Sequence, residues 1–291
     1  MSVIWVNSGR FAAEPTLWTP SLATTELWLT PHDTATTTIA TGVSQIRDRK
    51  LGAGRVFDQA TGGAQPGLGS PLNGKNGLTF NGSQWLTSSS STIWNFLHTA
   101  AGAGATIVAV WQAGNSADPN ALHGLLGNNA AQSANHGFSL FFDDRLPSGR
   151  NLRAGALITR GVSGQFTAVN LSADNAHPPN TPAIITHIGN PGNGTATNRS
   201  AITVNGGAEI KNNTDLNAAS SANASHPLQL GAIGNNASPL VGVIWEIVVL
   251  PPSTSLATVQ LVQGYLAGPA GFNLQNLLPV GHPYKSAAPT V

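Results

Sequence analysis

The feature that most limits how this chain can fold is its frequent interruption by turn-forming residues. The sequence contains 33 glycines and 19 prolines among 291 residues, which leaves few stretches long enough for a helix. Between them lie short runs of β-branched and aromatic residues bounded by Gly, Pro, Asn or Ser, which is the pattern of strands. Such a pattern favours an all-β sandwich or barrel. Strands are predicted at 26–29, 77–80, 106–111, 137–142, 153–159, 183–188, 201–204, 229–231 and 241–250.

One tight turn and two loops are also predicted. Asn205-Gly206 lies between two β-rich runs, and a type I′ hairpin turn needs positive φ at both of its central residues. This pair therefore predicts a hairpin. Residues 161–181 and 189–200 are polar and rich in Gly, Asn and Pro, and they are interpreted as long loops.

One short helix is predicted near the end of the chain. Hydroxyl residues after Pro251-Pro252 offer N-caps. An apolar stripe follows at helical spacing, and a Gly-Pro pair ends it. The helix is predicted over 255–267. The stripe consists of Leu256, Val259, Val262 and Leu266.

Two regions are predicted along the chain. Residues 1–25 have little periodicity and are interpreted as an N-terminal arm, and residues 26–291 as a β-sandwich with the C-terminal helix and a tail. No amphipathic element explains the arm's aromatic residues Trp5, Phe11 and Trp18. They are expected to pack against the domain or a neighbouring subunit, and they are predicted assembly contacts.

Charge and composition exclude several classes of function. Charged residues form 9% of the chain, against about 25% in ordinary domains, and 13 basic residues are nearly matched by 12 acidic ones. A nucleic-acid binder needs a dense basic face, so none is expected. No apolar run is long enough to insert in a membrane. The absence of cysteine excludes disulfides and thiol chemistry. The first residues lack the pattern of a signal peptide, which favours synthesis in the cytoplasm.

A series of motifs resembles a known fold family. In chain order these are Leu27-Trp28-Leu29, Val43-Ser44, Gln59-Ala60, the segment 72–83, Val204-Asn205-Gly206, the segment 242–247 and the segment 278–285. Together they resemble the concanavalin A-like lectin/glucanase (laminin G-like) jelly-roll domains found in phage virion surface proteins. The resemblance spans residues 26–289 and implies a jelly-roll β-sandwich. Asn81 stands where the family has an aspartate, which weakens the expectation of calcium.

Enzymatic chemistry is not expected. Relatives that hydrolyse glycosides use two nearby carboxyl groups on one strand. None of the twelve acidic residues shows that spacing, because Asp143 and Asp144 are adjacent and Glu246 is alone in an apolar strand. The chain is therefore predicted to have no catalytic residues, no metal ligands and no cofactor. Calcium through Asp118, Asp143 or Asp144 and loop carbonyls is the alternative, since calcium favours oxygen ligands.

Aromatic residues and two of these aspartates are the candidate ligand-binding residues. Trp85 and Trp94 flank a polar loop, and an exposed Trp can stack on a sugar ring. Core packing is the alternative for both, and a surface turn is the alternative for Asp143 and Asp144. Three further tryptophans lie in apolar strand patterns and are assigned to the core. These are Trp28, Trp111 and Trp245.

A basic cluster is the remaining candidate contact. Arg47, Arg49, Lys50 and Arg55 lie within nine positions of a chain otherwise poor in charge. The cluster would dock on an acidic partner or an anionic glycan, and the alternative is a solvated loop.

Three hypotheses about function follow. The first is a non-enzymatic structural protein on the surface of a phage-like virion, a capsid decoration or fibre-type subunit. Its partners would be other virion proteins and copies of itself, with weak binding of a host-surface glycan. The second is a carbohydrate-binding receptor-recognition module of a tail, and the third is a glycoside hydrolase. A rigid sandwich that carries long loops suits the first two.

Overall fold

The structure is a computed structural model and describes residues 15–50, 52–102, 104–114, 122–130, 133–145, 152–211 and 217–291. These residues form seventeen strands and one α-helix, α1 (Leu256–Ala267). The strands are β1 (Leu27–Leu29), β2 (Thr37–Ile39), β3 (Val43–Asp48), β4 (Gly52–Asp58), β5 (Gly67–Leu72), β6 (Lys75–Asn81), β7 (Leu86–Ser88), β8 (Ala105–Ala113), β9 (Leu122–Gly127), β10 (His136–Asp143), β11 (Arg153–Val162), β12 (Gln165–Leu171), β13 (Ala183–Gly189), β14 (Ser200–Val204), β15 (Ile210–Lys211), β16 (Gln229–Leu230) and β17 (Val241–Leu250).

The strands form two antiparallel sheets, which confirms the predicted all-β jelly-roll sandwich. The eight-stranded sheet runs in the order β15-β14-β13-β8-β17-β6-β5, with β1 also paired to β17. The nine-stranded sheet runs in the order β12-β11-β10-β9-β16-β7-β4-β3-β2. All nine predicted strands are present. The prediction of a continuous loop over 161–181 is wrong, because β12 returns along β11 after a turn at Gly164 (φ 74°).

The main core lies between the two sheets. On β8, Ile107, Ala109 and Trp111 point into it, and each is fully buried. The alternate residues Val108 and Val110 are equally buried, but they belong to a second cluster on the other side of the sheet. A strand buried on both faces in this way must have a covering layer on each side.

The covering layer over the eight-stranded sheet is formed by α1 and the segments near both chain ends. The helix begins after Ser255, whose side chain accepts a hydrogen bond from the Thr258 backbone N–H, and it ends at Gly268. The predicted helix is thus confirmed. Trp28 and Trp245 pack in this second core, whereas Trp111 packs between the sheets, so the assignment of all three tryptophans to buried positions is confirmed.

The first described residues belong to the same layer. Leu17 forms an isolated antiparallel bridge with Thr290, and the Trp18 backbone N–H donates to the Pro289 carbonyl at 2.9 Å. The Trp18 side chain is 7% exposed and meets Tyr265 edge to face. The interpretation of Trp18 as an intermolecular contact is therefore wrong, because its own domain already buries it. Trp5 and Phe11 lie outside the described residues, and the boundary at residue 25 stays a prediction.

The hairpin predicted from Asn205-Gly206 is present. Both residues have positive φ, 53° and 69°, and the Gly207 N–H donates back to the Val204 carbonyl at 3.0 Å. Strand pairing resumes only at Ile210, so the connection is longer than a two-residue turn. No helix in the described ranges has both the length and the apolar character needed to cross a membrane.

Candidate functional site

A row of polar side chains crosses the outer face of the nine-stranded sheet. In the strand register Thr38 lies opposite Gln45, Gln45 opposite Asp58, and Asp58 opposite Thr87. Thr87 in turn lies opposite Gln229. Directly opposed residues project from the same face of a sheet. These five residues, called here the polar row, therefore share one face across five strands.

The alternation of each strand places the polar row outside the core. Successive side chains on a strand point to opposite faces of the sheet. The chain neighbour of each row residue on β3, β4, β7 and β16 is fully buried in the main core, so the row points away from that core. These neighbours are Ile46, Phe57, Leu86 and Leu230.

A cleft of about 500 Å³ opens over the β2–β4 end of the polar row, and we call it the sheet cleft. It is lined by hydroxyl, amide, methyl and carboxylate groups, and Asp58 is the one charged residue among the lining residues that the structure describes. Asp58 is exposed. The lining residues are Thr38, Ala40, Ser44, Gln45, Asp58, Gln59, Ala60 and Gln65.

Two glutamines give the sheet cleft a fixed framework. Gln65 is 4% exposed; its Oε1 accepts from the Gly42 N–H at 2.9 Å, and its Nε2 donates to the Gln59 carbonyl at 2.8 Å. The Gln59 side chain accepts from the Thr61 N–H at 3.0 Å. In the described part of the chain, the side chains of Gln45 and Asp58 make no such bonds and stay available to a ligand.

Trp85 lies beside this framework. It is partly exposed, and its backbone carbonyl accepts from Gln59 Nε2 at 3.4 Å. Its backbone N–H donates to the Ala64 carbonyl at 3.1 Å. The backbone of the predicted ligand residue Trp85 therefore borders the sheet cleft, and Trp85 is not one of the lining residues.

The other end of the polar row is closed. Gln229 is 5% exposed, and its Nε2 donates to Thr87 Oγ1 at 3.1 Å and to Asn236 Oδ1 at 2.7 Å. The Asn236 backbone N–H donates back to Gln229 Oε1 at 2.9 Å. The segment that carries Asn236 therefore covers Gln229, and the accessible part of the row is Thr38, Gln45, Asp58 and Thr87.

The expectation that Trp94 offers an exposed ring is wrong. Its side chain is fully buried, its Nε1 donates to Ser88 Oγ at 2.9 Å, and its ring lies 5.6 Å from that of Phe57. Arg55 also stacks on this ring, with its guanidinium carbon 5.0 Å from the Trp94 ring centre. Trp94 belongs to the main core because the polar loop before it folds back over β7.

Asp143 and Asp144 are not part of the sheet cleft, and both are fully buried. The two carboxylate oxygens of Asp143 accept from Arg145 and Arg153, each at 2.8 Å. Burial alone would raise the pKa of Asp143, but the hydrogen bonds and charges of the two arginines outweigh it and lower the pKa. Asp143 is thus a structural ion-pair residue, which corrects its interpretation as a ligand-binding or calcium-binding residue. Asp144 is also fully buried, which corrects the expectation of a ligand-accessible carboxylate there. Asp118 lies outside the described residues.

The four residues of the basic cluster do not form one free docking patch. Arg49 pairs with Asp33 at 3.1 Å and stacks on Trp28, 4.6 Å from the ring centre. Arg55 pairs with Glu26 at 2.7 Å, and its side chain is only 17% exposed. The other two members are exposed and donate to backbone carbonyls, Arg47 to that of Ala35 at 2.7 Å and Lys50 to that of Ala23. The expectation of a joint assembly contact is wrong for Arg55, because its guanidinium faces inward.

Glu246 is a buried acidic residue whose role the sequence did not indicate. It is fully buried under α1, and Trp28 Nε1 donates to its Oε1 at 2.7 Å. Burial raises the pKa of Glu246 to about 7, although Trp28, Lys75 and Tyr265 act in the opposite direction. Because the second core seals it from solvent, Glu246 serves the packing of the covering layer.

Several histidines are also buried. His177 contacts the rings of Trp111 and Phe142 at centroid distances of 5.0 and 5.3 Å. Burial lowers the pKa of His177 to about 4 and that of His187 to about 3. In the described residues no group of three or more His, Cys, Asp or Glu side chains could hold a metal ion. These histidines therefore act as neutral core residues.

Comparison with known proteins finds only partial similarity to solved structures. No family model matches the sequence. No curated protein matches it either. Among solved structures, the chain is similar to the CBM40 of the Ruminococcus gnavus IT-sialidase bound to α2,6-sialyllactose, with 17% identity and a TM-score of 0.39 over 55% of this chain and 82% of that one. The leech intramolecular trans-sialidase shows 14% identity and a TM-score of 0.32 over 53% of this chain and 22% of that one.

Proposed function

We propose that this protein is a non-enzymatic carbohydrate-binding module and that the sheet cleft is its binding site. The observation that carries the proposal is the polar row, in which Gln45, Asp58 and a threonine hydroxyl point outward from a rigid sheet beside Trp85. Amide, hydroxyl and carboxylate groups on a fixed scaffold match the hydroxyl groups of a sugar, and a neighbouring tryptophan offers an apolar face.

The charge of the sheet cleft favours a neutral glycan. Asp58 is the single charged side chain among its described lining residues. An anionic sugar would bring a second negative charge to that carboxylate without a lysine or arginine in the lining to compensate for it. A neutral sugar hydroxyl instead donates to Asp58, and such a charge-assisted hydrogen bond is stronger than a neutral one.

The absence of hydrolytic activity is part of the proposal. A glycosidase needs two carboxyl groups flanking the bond that it cleaves. Asp58 has no carboxyl partner among the described lining residues. The described lining of the sheet cleft therefore favours binding and offers no such pair for the third hypothesis, a glycoside hydrolase.

A glycan array that pairs neutral oligosaccharides with their sialylated forms tests the proposal. We expect binding to neutral members and weaker binding to each sialylated partner. Asp58→Asn should weaken the binding at least tenfold, since a hydrogen bond to a charged group contributes about 1.5–3 kcal/mol. Glu209→Gln, which removes an exposed carboxylate in the connection before β15 of the other sheet, is the matched control and should bind normally. Absence of binding, or equal loss in both variants, would refute the proposal.

Display on a phage-like virion is the setting that we propose for this module. The sequence resemblance and the low fraction of charged residues support it, and its partners there would be other virion proteins and copies of itself. Trp5 and Phe11 remain the proposed contacts of the arm. Electron cryo-microscopy of the source particle tests this: density for the sandwich at a fixed position on the surface would support it, and a particle without the protein would contradict it.

A further inference from the structure

A second pocket lies on the opposite side of the molecule, between the eight-stranded sheet and α1. Its volume is about 210 Å³. A pocket of this volume has room for a small organic ligand. We call it the helix pocket. Four of its lining residues, Leu256, Val259, Gln260 and Gln263, lie on α1, and the others lie on β13, on β14 and in the connection that follows β14.

Regular elements hold its walls in place. Thr186 and Thr203 are directly opposed on β13 and β14, and they are 0% and 5% exposed. The helical lining residues are spaced i, i+3, i+4 and i+7, which places them on one face of α1. The pocket is therefore formed where one helix face meets the edge of the sheet.

One wall is a fixed chain of hydrogen bonds. Gln263 is 4% exposed, and its Nε2 donates to Thr186 Oγ1 at 2.9 Å. His282 Nε2 lies 3.1 Å from Gln263 Oε1, and His282 Nδ1 accepts from the Tyr284 N–H at 3.2 Å. His282 Nε2 is therefore the donor to Gln263, which sets the orientation of the amide. This wall is organised before any ligand binds.

Next to this wall, two further groups have no hydrogen-bonding or ion-pair partner in the described part of the chain. Thr203 Oγ1 is buried without a hydrogen bond in the described part of the chain. An unsatisfied buried hydroxyl is unfavourable, and a ligand donor would satisfy it. Glu209 is exposed beside it and forms no ion pair with a described residue, because the nearby Lys211 ammonium donates to Asn198 at 3.0 Å.

We propose that the helix pocket binds a small aliphatic primary ammonium ion. The carboxylate of Glu209 and the Thr203 hydroxyl would accept from the ammonium group. The aliphatic chain would lie against Ile188, Leu256 and Val259. The described lining residues include a carboxylate but no lysine or arginine to balance it, which selects for a cation. They also include no aromatic ring, which disfavours a stacked sugar or a quaternary ammonium in an aromatic cage.

Titration with n-pentylammonium, followed by amide NMR, tests this proposal. n-Pentanol has the same chain without the charge, and pentanoate has the opposite charge. We expect saturable shifts at Thr186, Thr203 and Gln263 with pentylammonium, at least tenfold weaker binding of pentanol, and no binding of pentanoate. Equal affinity for pentanol and pentylammonium, or the absence of saturable shifts, would overturn the proposal.

Three variants assign the binding to the pocket. Glu209→Gln should weaken pentylammonium binding about tenfold; Glu209 is exposed, so the fold should be kept. Thr203→Val should also weaken it, because it removes the acceptor and keeps the shape. Asp58→Asn alters the sheet cleft alone and should leave it unchanged. Weaker pentylammonium binding by Asp58→Asn, or unchanged binding by Glu209→Gln, would refute the site. The glycan array and this titration report on different carboxylates, so either proposal can fail without the other.

Discussion

At the scale of single residues, the carboxyl groups of Asp58, Asp143 and Glu246 differ in their burial and in their partners. Asp58 is exposed on the polar row. Asp143 is buried between two arginines, and Glu246 is buried against Trp28. Because burial without full pairing disfavours a charge, Glu246 should respond to pH, whereas Asp58 is the group that a solvent-borne ligand can reach.

The raised pKa of Glu246 predicts that the contribution of this residue to the free energy of unfolding falls as pH rises. Its pKa is about 7 in the folded protein against 4.5 as the ordinary value, so between these pH values the folded state holds a proton that the unfolded state has released. Glu246→Gln removes this titration. Relative to the wild type, the variant should therefore gain stability between pH 5 and pH 8, by on the order of 3 kcal/mol at most.

Urea unfolding of both proteins at the two pH values measures this gain. Asp174→Asn is the control, because that side chain is 63% exposed. If the unfolding free energies of Glu246→Gln and the wild type differed by the same amount at pH 5 and at pH 8, the account of Glu246 would be contradicted.

The lowered pKa of His177 predicts the opposite pH dependence, in which the free energy of unfolding falls as pH decreases. Burial holds its pKa near 4, below the ordinary value of 6.5. As pH falls from about 6.5 to about 4, the unfolded state takes up a proton that the folded state refuses, so stability is lost on acidification. His177→Leu should make the dependence of the melting temperature on pH less steep in this window. His226→Leu, at a partly exposed site, is the comparison, and an equal effect of both variants would disprove the role of His177.

At the scale of elements, α1 depends on its first turn. Ser255 accepts from the Thr258 N–H at 3.2 Å and so satisfies one of the free N–H groups at the helix start. Ser255→Ala should lower the free energy of unfolding by about 1 kcal/mol, and Ser255→Asp, which also caps, should not. Thermal unfolding of both variants checks this. Equal losses in Ala and Asp would argue against the cap.

The elements that form the sheet cleft were the hardest to predict. On β3 the residues alternate irregularly, because Ile39 is paired with Val43 while Thr38 is paired with Gln45, which leaves Ser44 as an extra residue in a bulge. A bulge breaks the period of two that marks a strand. Strand β2 has only three residues, too few to show a period. The sequence thus predicted most of the long apolar strands, although it missed β9. It also missed β2, β3, β4 and β7, which carry most of the polar row.

Distance along the chain explains the errors about single residues. Trp94 is buried by Phe57, and Asp143 is neutralised by Arg153, contacts that no local pattern contains. Trp85 could be predicted as a ligand-binding residue from the sequence, because a tryptophan beside a polar loop is a candidate for stacking on a sugar wherever the loop lies. Asp58 could not, because its importance comes from Gln45 and Thr87 on neighbouring strands.

At the scale of the whole molecule, the two sheets have different covers. α1 and the segments near both chain ends seal the eight-stranded sheet, including Trp18, Trp28 and Trp245. On the nine-stranded sheet, a small apolar cluster around Phe141, Leu157 and Ile233 occupies one half of the outer face, and the polar row occupies the other. This division leaves the sheet cleft as a polar surface on a rigid support.

Mapping the bound glycan by amide NMR is the most direct test of the central claim. The neutral oligosaccharide that binds best in the array would be added to the labelled protein. The account predicts that the shifted amides lie at residues 38–45, at 58–65 and at Trp85, around the sheet cleft. Shifts confined to α1 and β14, or the absence of saturable shifts, would contradict a carbohydrate-binding site on the nine-stranded sheet.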